Sequence, residues 1–278
     1  LILKVNRIST VYFSPAGSTK KITTIPAEHM GEAMKIPTTV IDVTCPKSRE
    51  KHFSFQSDEL TIFGFPTYAG RIPNKILPFL KENFKGDNSP AIAMVSFGNR
   101  NFDSSLTELQ EELLKNGFRV FAAGAFSCRH VFSKKIAPGR PDDSDISKIK
   151  NFANMALSKL ESAEKISDLT VPIIKNDAPL APYYTPLGTD GLPAKFLKAK
   201  PKTDTNKCDN CGICAKVCPL GSIEKSDVTN VSVICIKCCA CILKCPQNAK
   251  YFDDKAFLSH VKMLEKNYSD RKEPEIFI

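Results

Sequence analysis

Between residues 7 and 163 short apolar runs, rich in β-branched and aromatic side chains, alternate with longer segments in which apolar positions recur every three or four residues. That alternation is how a parallel sheet flanked by helices reads. Runs at 8–13, 38–43, 60–65, 91–97 and 120–125 predict five strands. The intervening stretches 20–34, 74–84, 104–116 and 145–160 predict helices, the first shortened or kinked at Pro26 and the third stopped by Gly117.

Past residue 165 the pattern changes. Pro172, Pro179, Pro182, Pro186, Pro193 and Pro201 exclude regular helix or central strand there. The chain therefore divides into 1–165, a proline-rich linker at 166–203, and a third segment at 204–278 ending in a helix at 253–267. Tyr183, Tyr184, Leu187, Phe196 and Leu197 predict a linker that packs along a surface, unlike a flexible Gly/Ser tether. The tail after 267 carries no recognisable chemistry.

The third segment holds nine of the eleven cysteines. They form Cys208-x2-Cys211-x2-Cys214-x3-Cys218-Pro219 and its repeat Cys235-x2-Cys238-x2-Cys241-x3-Cys245-Pro246. Three thiolates two residues apart can wrap one iron–sulfur cube, and a fourth that precedes proline is thrown toward its neighbour. Zinc ribbons use two Cys-x2-Cys knuckles with a longer gap, which these runs of four do not match. The segment resembles the bacterial two-cluster ferredoxins. The resemblance implies a small α+β domain with two 4Fe-4S clusters, one on Cys208, Cys211, Cys214 and Cys245, the other on Cys235, Cys238, Cys241 and Cys218. Gly212 and Ala240 stand where backbone would approach a cluster, and Ile213, Val217, Ile223, Ile236 and Ile242 can exclude water. Cys239 falls outside the repeat and reads as a buried free thiol, and Cys45 and Cys128 as isolated ones.

In the first segment, Ser14-Pro15-Ala16-Gly17-Ser18-Thr19-Lys20 ends the first predicted strand and opens a helix, where backbone N–H groups and hydroxyls can meet a phosphate. An ordinary helix cap would use the same residue types. Two further loops, Pro66-Thr67-Tyr68-Ala69-Gly70-Arg71 and Phe97-Gly98-Asn99-Arg100-Asn101-Phe102-Asp103, follow the third and fourth predicted strands. In a doubly wound sheet all three converge on one crevice. Together they resemble a flavodoxin, a family whose five-stranded parallel sheet of order 2-1-3-4-5 binds FMN at its C-terminal edge. The resemblance implies Ser14, Ala16, Gly17, Ser18 and Thr19 around the phosphate, Tyr68 and Phe102 flanking the ring, Gly98 and Asn99 along its pyrimidine edge, and the Ala69–Gly70 peptide near its N5. The family has threonine where Ala16 stands, so one hydroxyl is missing. Arg71 and Arg100 occupy loops that are acidic in typical flavodoxins, and positive charge there is expected to favour the anionic reduced ring.

Joined, the two resemblances are those of the flavodoxin–ferredoxin fusions of anaerobes. They imply an electron carrier passing electrons between FMN and two 4Fe-4S clusters and shuttling between redox partner proteins. The alternatives are an FMN-dependent reductase of a small substrate fed through the clusters, and a redox sensor or scaffold. No Gly-x-Gly-x-x-Gly fingerprint or acid/base pair accompanies the flavin loops, which favours the carrier. The formal charge of +9 raises nucleic acid as a partner, but clusters and a flavin phosphate at roughly −2 each would reduce it to about +3. Seven lysines against six acids between 204 and 255 leave the cysteine-rich segment less acidic than many small ferredoxins. The absence of an export-type segment and of a long apolar run predicts a cytoplasmic protein without a membrane span.

Overall fold

In the computed structural model, which describes residues 3–174 and 179–278, the alternating pattern becomes three layers. Four residues of the predicted linker, 175–178, lie outside the described residues. The first part of the chain runs β1 (Arg7–Tyr12), α1 (Ser18–Met34), β2 (Thr38–Asp42), β3 (Phe53–Phe55), β4 (Glu59–Pro66), α2 (Leu77–Glu82), β5 (Phe84–Gly86), β6 (Ser89–Phe97), α3 (Ser105–Lys115), β7 (Phe118–Ser127) and α4 (Asp143–Glu161). The remainder holds β8 (Lys202–Thr203), α5 (Ile213–Lys216), α6 (Ala240–Leu243), β9 (Lys250–Tyr251), α7 (Lys255–Asn267) and β10 (Glu275–Phe277).

The main sheet has the order β10-β7-β6-β4-β1-β2. Its five strands from the first part are mutually parallel, and taken among themselves they have the order 2-1-3-4-5 of a flavodoxin-like sheet. Every residue of β4 and β6 is buried, as strands covered on both faces must be. One face packs Leu106, Leu109 and Leu113 of α3. The other packs Ile22 and Met30 of α1 with Ile149, Phe152 and Leu160 of α4. Pro26 lies inside α1, which continues through it. After α3 the turn at Gly117 has φ +85 and comes so close to the carbonyl of Gly86 that a Cβ would sit 2.3 Å from its oxygen. Only glycine meets both conditions.

Two features depart from the sequence reading. The expected helix at 74–84 is confined to Leu77–Glu82, because Phe84 instead starts a two-stranded parallel sheet with Phe53 opposite it. The C-terminal tail adds the antiparallel strand β10 to the edge of β7, pairing Ile276 with Gly124. The chain thus returns to its first domain, and residues 275–277 belong to that sheet and not to the third segment. Within the predicted linker, Phe196 and Ala199 form a core with Phe257 of α7, and Phe132 packs against it, so this stretch lies along a surface.

Among the described residues no helix is long and apolar enough to cross a membrane.

Candidate thiol cavities and the sheet edge

The two cysteine repeats adopt matching backbones. Left-handed residues occur at Asn210, Gly212 and Gly221 in the first and at the equivalent Lys237, Cys239 and Asn248 in the second. Gly212 and Cys239 cap the short helices α5 and α6, which turn the chain around each cysteine loop. In each repeat the fourth cysteine accepts a backbone N–H at 3.3 Å, from Ser222 to the Cys218 sulfur and from Ala249 to the Cys245 sulfur.

These backbones sort the thiols into two cavities. Cys208, Cys211, Cys214 and Cys245 line one of about 300 Å³, together with Gly212, Ile213 and Pro246. Cys218, Cys235, Cys238 and Cys241 line the other, of about 400 Å³, with Ile223, Ile236 and Ala240. Each cavity thus combines three cysteines of one repeat with the fourth of the other. Cys214 and Cys241 share a small apolar core with Ile223, Val228 and Val231 that separates the two.

Burial pushes the Cys241 thiol up to about 12, and it raises Cys214, Cys235 and Cys238 as well, with neighbouring thiols adding to the rise at each cavity. Four like charges in a buried space cannot ionise together without a cation core to hold them. Among the described residues no three His, Cys, Asp or Glu side chains form a site for a single metal ion. A cubane does not ask for that convergence, because each of its thiolates binds a different iron. The donor set therefore fits a polynuclear iron–sulfur centre. Cys239 also lines the second cavity, buried and with its sulfur 3.6 Å from the carbonyl of Lys237. Cys128 is buried with its thiol pushed up to about 12, and Cys45 is exposed.

The second cavity faces the sheet. Leu220 and Ile236 pack against the core that contains Phe13 and Phe65. Arg49 donates to the carbonyls of Val43 and Thr44 at 2.9 and 2.7 Å and reaches across to that of Pro219. The Cys45 thiol lies 3.8 Å from the carbonyl of Lys216. The Tyr68 phenol is raised well above its ordinary value by burial first and then by Cys238, Cys239 and Cys235. Sequence reading had placed Tyr68 beside a ring, and the structure places it between the β4 loop and the second cavity. The docking role of Cys45–Arg49 had no signal in the sequence.

At the start of α1 the segment 14–20 turns sharply from β1 into the helix. Gly17 has φ +94, and a Cβ there would meet nothing within 4 Å. Ser14 Oγ accepts the N–H of Lys20 at 2.8 Å, and Ser14 N–H donates to Thr44 Oγ1 at 2.9 Å. The N–H groups of Ser18 and Thr19 take no acceptor among the described residues, so this helix terminus offers two donors to an anion. Ala16, Gly17 and Ser18 are partly exposed. The Thr19 hydroxyl is not part of the loop's offer, since it is buried against Ser96 Oγ at 2.7 Å.

The two ring loops are a different matter, and several expectations need correction. Phe102 is 1% exposed and packs on Phe97 with ring centroids 5.7 Å apart, so it belongs to the core beneath α3 and presents no face to a ring. Asn99 is fully buried: its amide nitrogen donates to the carbonyls of Tyr268 and Asp270, both at 2.8 Å, and its oxygen accepts from Ser127. It anchors the C-terminal tail instead of a pyrimidine edge. Gly98 faces His130, whose ring atom would lie 2.4 Å from a Cβ. Thr67 is tied to Ser105 Oγ at 2.6 Å, and Pro66 is buried in β4. Asn101 holds the N–H of Asp103 at 3.1 Å.

The charges expected near the ring are neutralised. Arg71 pairs with buried Glu108 at 2.6 Å and donates to the carbonyl of Ala181, and that bond to Glu108 raises its pKa. Arg100 pairs with Asp103 and stacks on Tyr184, 3.9 Å from the ring centroid. Tyr68 and Arg71 bond each other reciprocally around Ala69 and Gly70, both at positive φ, and a Cβ on Gly70 would strike Asp103. The loops therefore touch, and the linker covers them: Tyr184 N–H donates to Ala69 at 2.8 Å and Tyr183 Oη to Ile72 at 3.2 Å. The apolar character of the linker was its only advance signal.

Residues 201–224 match the family described as a 4Fe-4S binding domain. No curated protein matches the chain. Among solved structures the chain is similar to a flavodoxin from the domain Archaea, with 15% identity and TM-score 0.41 over 55% of this chain and 98% of that one. It is likewise similar to oxidised flavodoxin 2 from Bacillus cereus, with 19% identity and TM-score 0.40 over 55% and 97%. A third likeness is to the apo form of the NADH:FMN oxidoreductase EMOB, with 16% identity and TM-score 0.42 over 60% and 95%. The strand order, and not these likenesses, carries the fold assignment.

Proposed function

We propose that this chain is an electron-transfer protein whose C-terminal module holds two 4Fe-4S clusters. The observation that carries the reading is the sorting of eight thiols into two cavities, each with three cysteines of one repeat and the fourth of the other. Cys208, Cys211, Cys214 and Cys245 hold one cluster, and Cys218, Cys235, Cys238 and Cys241 the other. Each cluster supplies one-electron transfer.

The chain's own residues set the order of the centres. The second cavity lies against the sheet through Ile236, Leu220 and Tyr68, whereas Cys211 of the first is exposed. The first cluster is therefore the one that meets a redox partner protein. The second exchanges electrons with the N-terminal domain.

That domain takes FMN by its phosphate. Ser18 and Thr19 N–H groups bind the oxyanion, and Ser14 holds the loop through Lys20. A ring would have to part the Tyr68–Arg71 turn from the Arg100–Asp103 loop. The contact between those loops favours a second reading, in which the N-terminal domain binds no ring and serves as a platform for the cluster module. A small-molecule reductase is the weaker reading, because Tyr183 and Tyr184 cover the loops where its substrate would sit.

Iron and flavin analysis of anaerobically isolated protein, followed by a redox titration, tests these readings together. About eight irons per chain with one FMN is expected. About eight irons without flavin supports the platform. Zinc, or clearly fewer than about eight irons per chain, overturns the proposal.

A further inference from the structure

Lys250 has an environment that neither the cysteine repeat nor the fold requires. It lies on β9, is 3% exposed, and lines the first cavity with Cys208, Cys214 and Cys245. Its Nζ donates to Thr203 Oγ1 at 2.7 Å and to the carbonyl of Val228, both neutral acceptors. Among the described residues no carboxylate lies within ion-pair distance of that nitrogen. Asp227 is the near acid in the chain, and its carboxylate is exposed and engaged by Thr229.

An ammonium withdrawn from water is costly unless an opposite charge compensates it. Two neutral hydrogen bonds satisfy geometry but not charge. The Asp227 carboxylate, which the Lys250 charge helps to lower, lies in solvent, so the negative groups that could share its buried surroundings are the thiolates of the cavity it lines.

We propose that the Lys250 ammonium is the built-in counter-charge of the first cavity, raising the reduction potential of the 4Fe-4S cluster held there. The inference rests on the two-cluster reading. Its physical basis is that reduction adds one negative charge to the cluster, and a fixed positive charge in a weakly polarisable surrounding favours that state. Lys250 is a tuning residue, and it gains and loses no electron.

The test is an anaerobic redox titration, followed by electron paramagnetic resonance, of Lys250→Met, Lys250→Gln and Lys250→Arg beside the native chain, with iron counted in each. An exposed control, Lys225→Met, gauges what solvent-screened charge does. With about eight irons retained, the Met and Gln chains are expected to show at least a tenfold smaller ratio of reduced to oxidised first cluster at a fixed poise, about 59 mV for a one-electron couple. The Arg chain and the control should stay near the native value. Unchanged potentials in the Met and Gln chains, or an equal fall in the Arg chain, would overturn the inference. If the Met and Gln chains cannot hold iron while the Arg chain can, the charge is required for binding and the inference stands. If the Arg chain also fails, shape and not charge is what matters, and the inference falls. A native chain without about eight irons would instead sink the two-cluster reading itself.

Discussion

The thiol cavities and the loops at the sheet edge lie side by side, yet their polar groups are spent differently. In the cavities the cysteine sulfurs face one another across space that protein does not fill, with few protein partners of their own. In the loops after β4 and β6 most polar groups have a protein partner: Asn99 has three, Arg71 has Glu108 and Ala181 with its Nε left over, and Arg100 has Asp103 and Tyr184. The first arrangement is that of a binding site, and the second that of a closed interface. Convergence of loops at a switch point is therefore not sufficient for a ligand crevice, since a linker of suitable composition can saturate the same groups.

The sharpest way to break the contrast is through the crossed ligands. Cys245→Ala and Cys211→Ala should each reduce iron from about eight to about four per chain and leave a surviving cluster of the same potential and spectrum, while Cys218→Ala and Cys235→Ala should leave the other. Should Cys245→Ala instead match Cys235→Ala, the cavities would not be interlaced. Phe102→Ala tests the closed edge. As a core residue it should lower unfolding stability by about 3–5 kcal/mol, measured by denaturant titration, whereas a ring-flanking residue would chiefly lower flavin affinity.

His130 comes next in size. Burial, aided by the charges of His260 and Arg100, lowers its pKa to about 4. The folded chain then binds fewer protons than the unfolded one between about pH 6.5 and 4. Stability should fall on acidification through that window, by at most about 3 kcal/mol from this group. His130→Gln, which keeps an acceptor for the N–H of Phe132, should flatten that slope in pH-dependent unfolding. The smallest effect belongs to Ser14→Ala. Loss of the acceptor for the Lys20 N–H should cost about 1 kcal/mol, and it should weaken retention of any phosphate-bearing ligand measured by equilibrium dialysis.

The five parallel strands were legible because their apolar runs are bounded by turns, and each strand needs only its own residues to show it. The third helix likewise ended where Gly117 required. Elements of two or three residues escaped: β8 and β9 pair Lys202 with Tyr251, and β3 pairs Phe53 with Phe84, in segments too short to display a period. Strand β10 escaped for another reason. Its Glu275–Ile276–Phe277 is unremarkable until the edge of β7 lies beside it, and Arg271 then fastens the approach to Asp142 and Asp145.

Within the site, the division follows the range of the interactions. Spacing along the chain marked the two four-cysteine runs, since backbone geometry over a few residues determines how neighbouring thiols can converge, whereas the crossing of the fourth cysteine came from the resemblance to two-cluster ferredoxins. Spacing also placed Gly17 and the α1 terminus correctly, because a helix start is a local event. Whether Phe102 faces a ring or a core, whether Arg71 and Arg100 act as free charges, and whether Lys250 is buried without a carboxylate depended on groups up to a hundred or so residues away. Burial and electrostatic compensation are properties of the assembled surroundings, so no segment read by itself contains them.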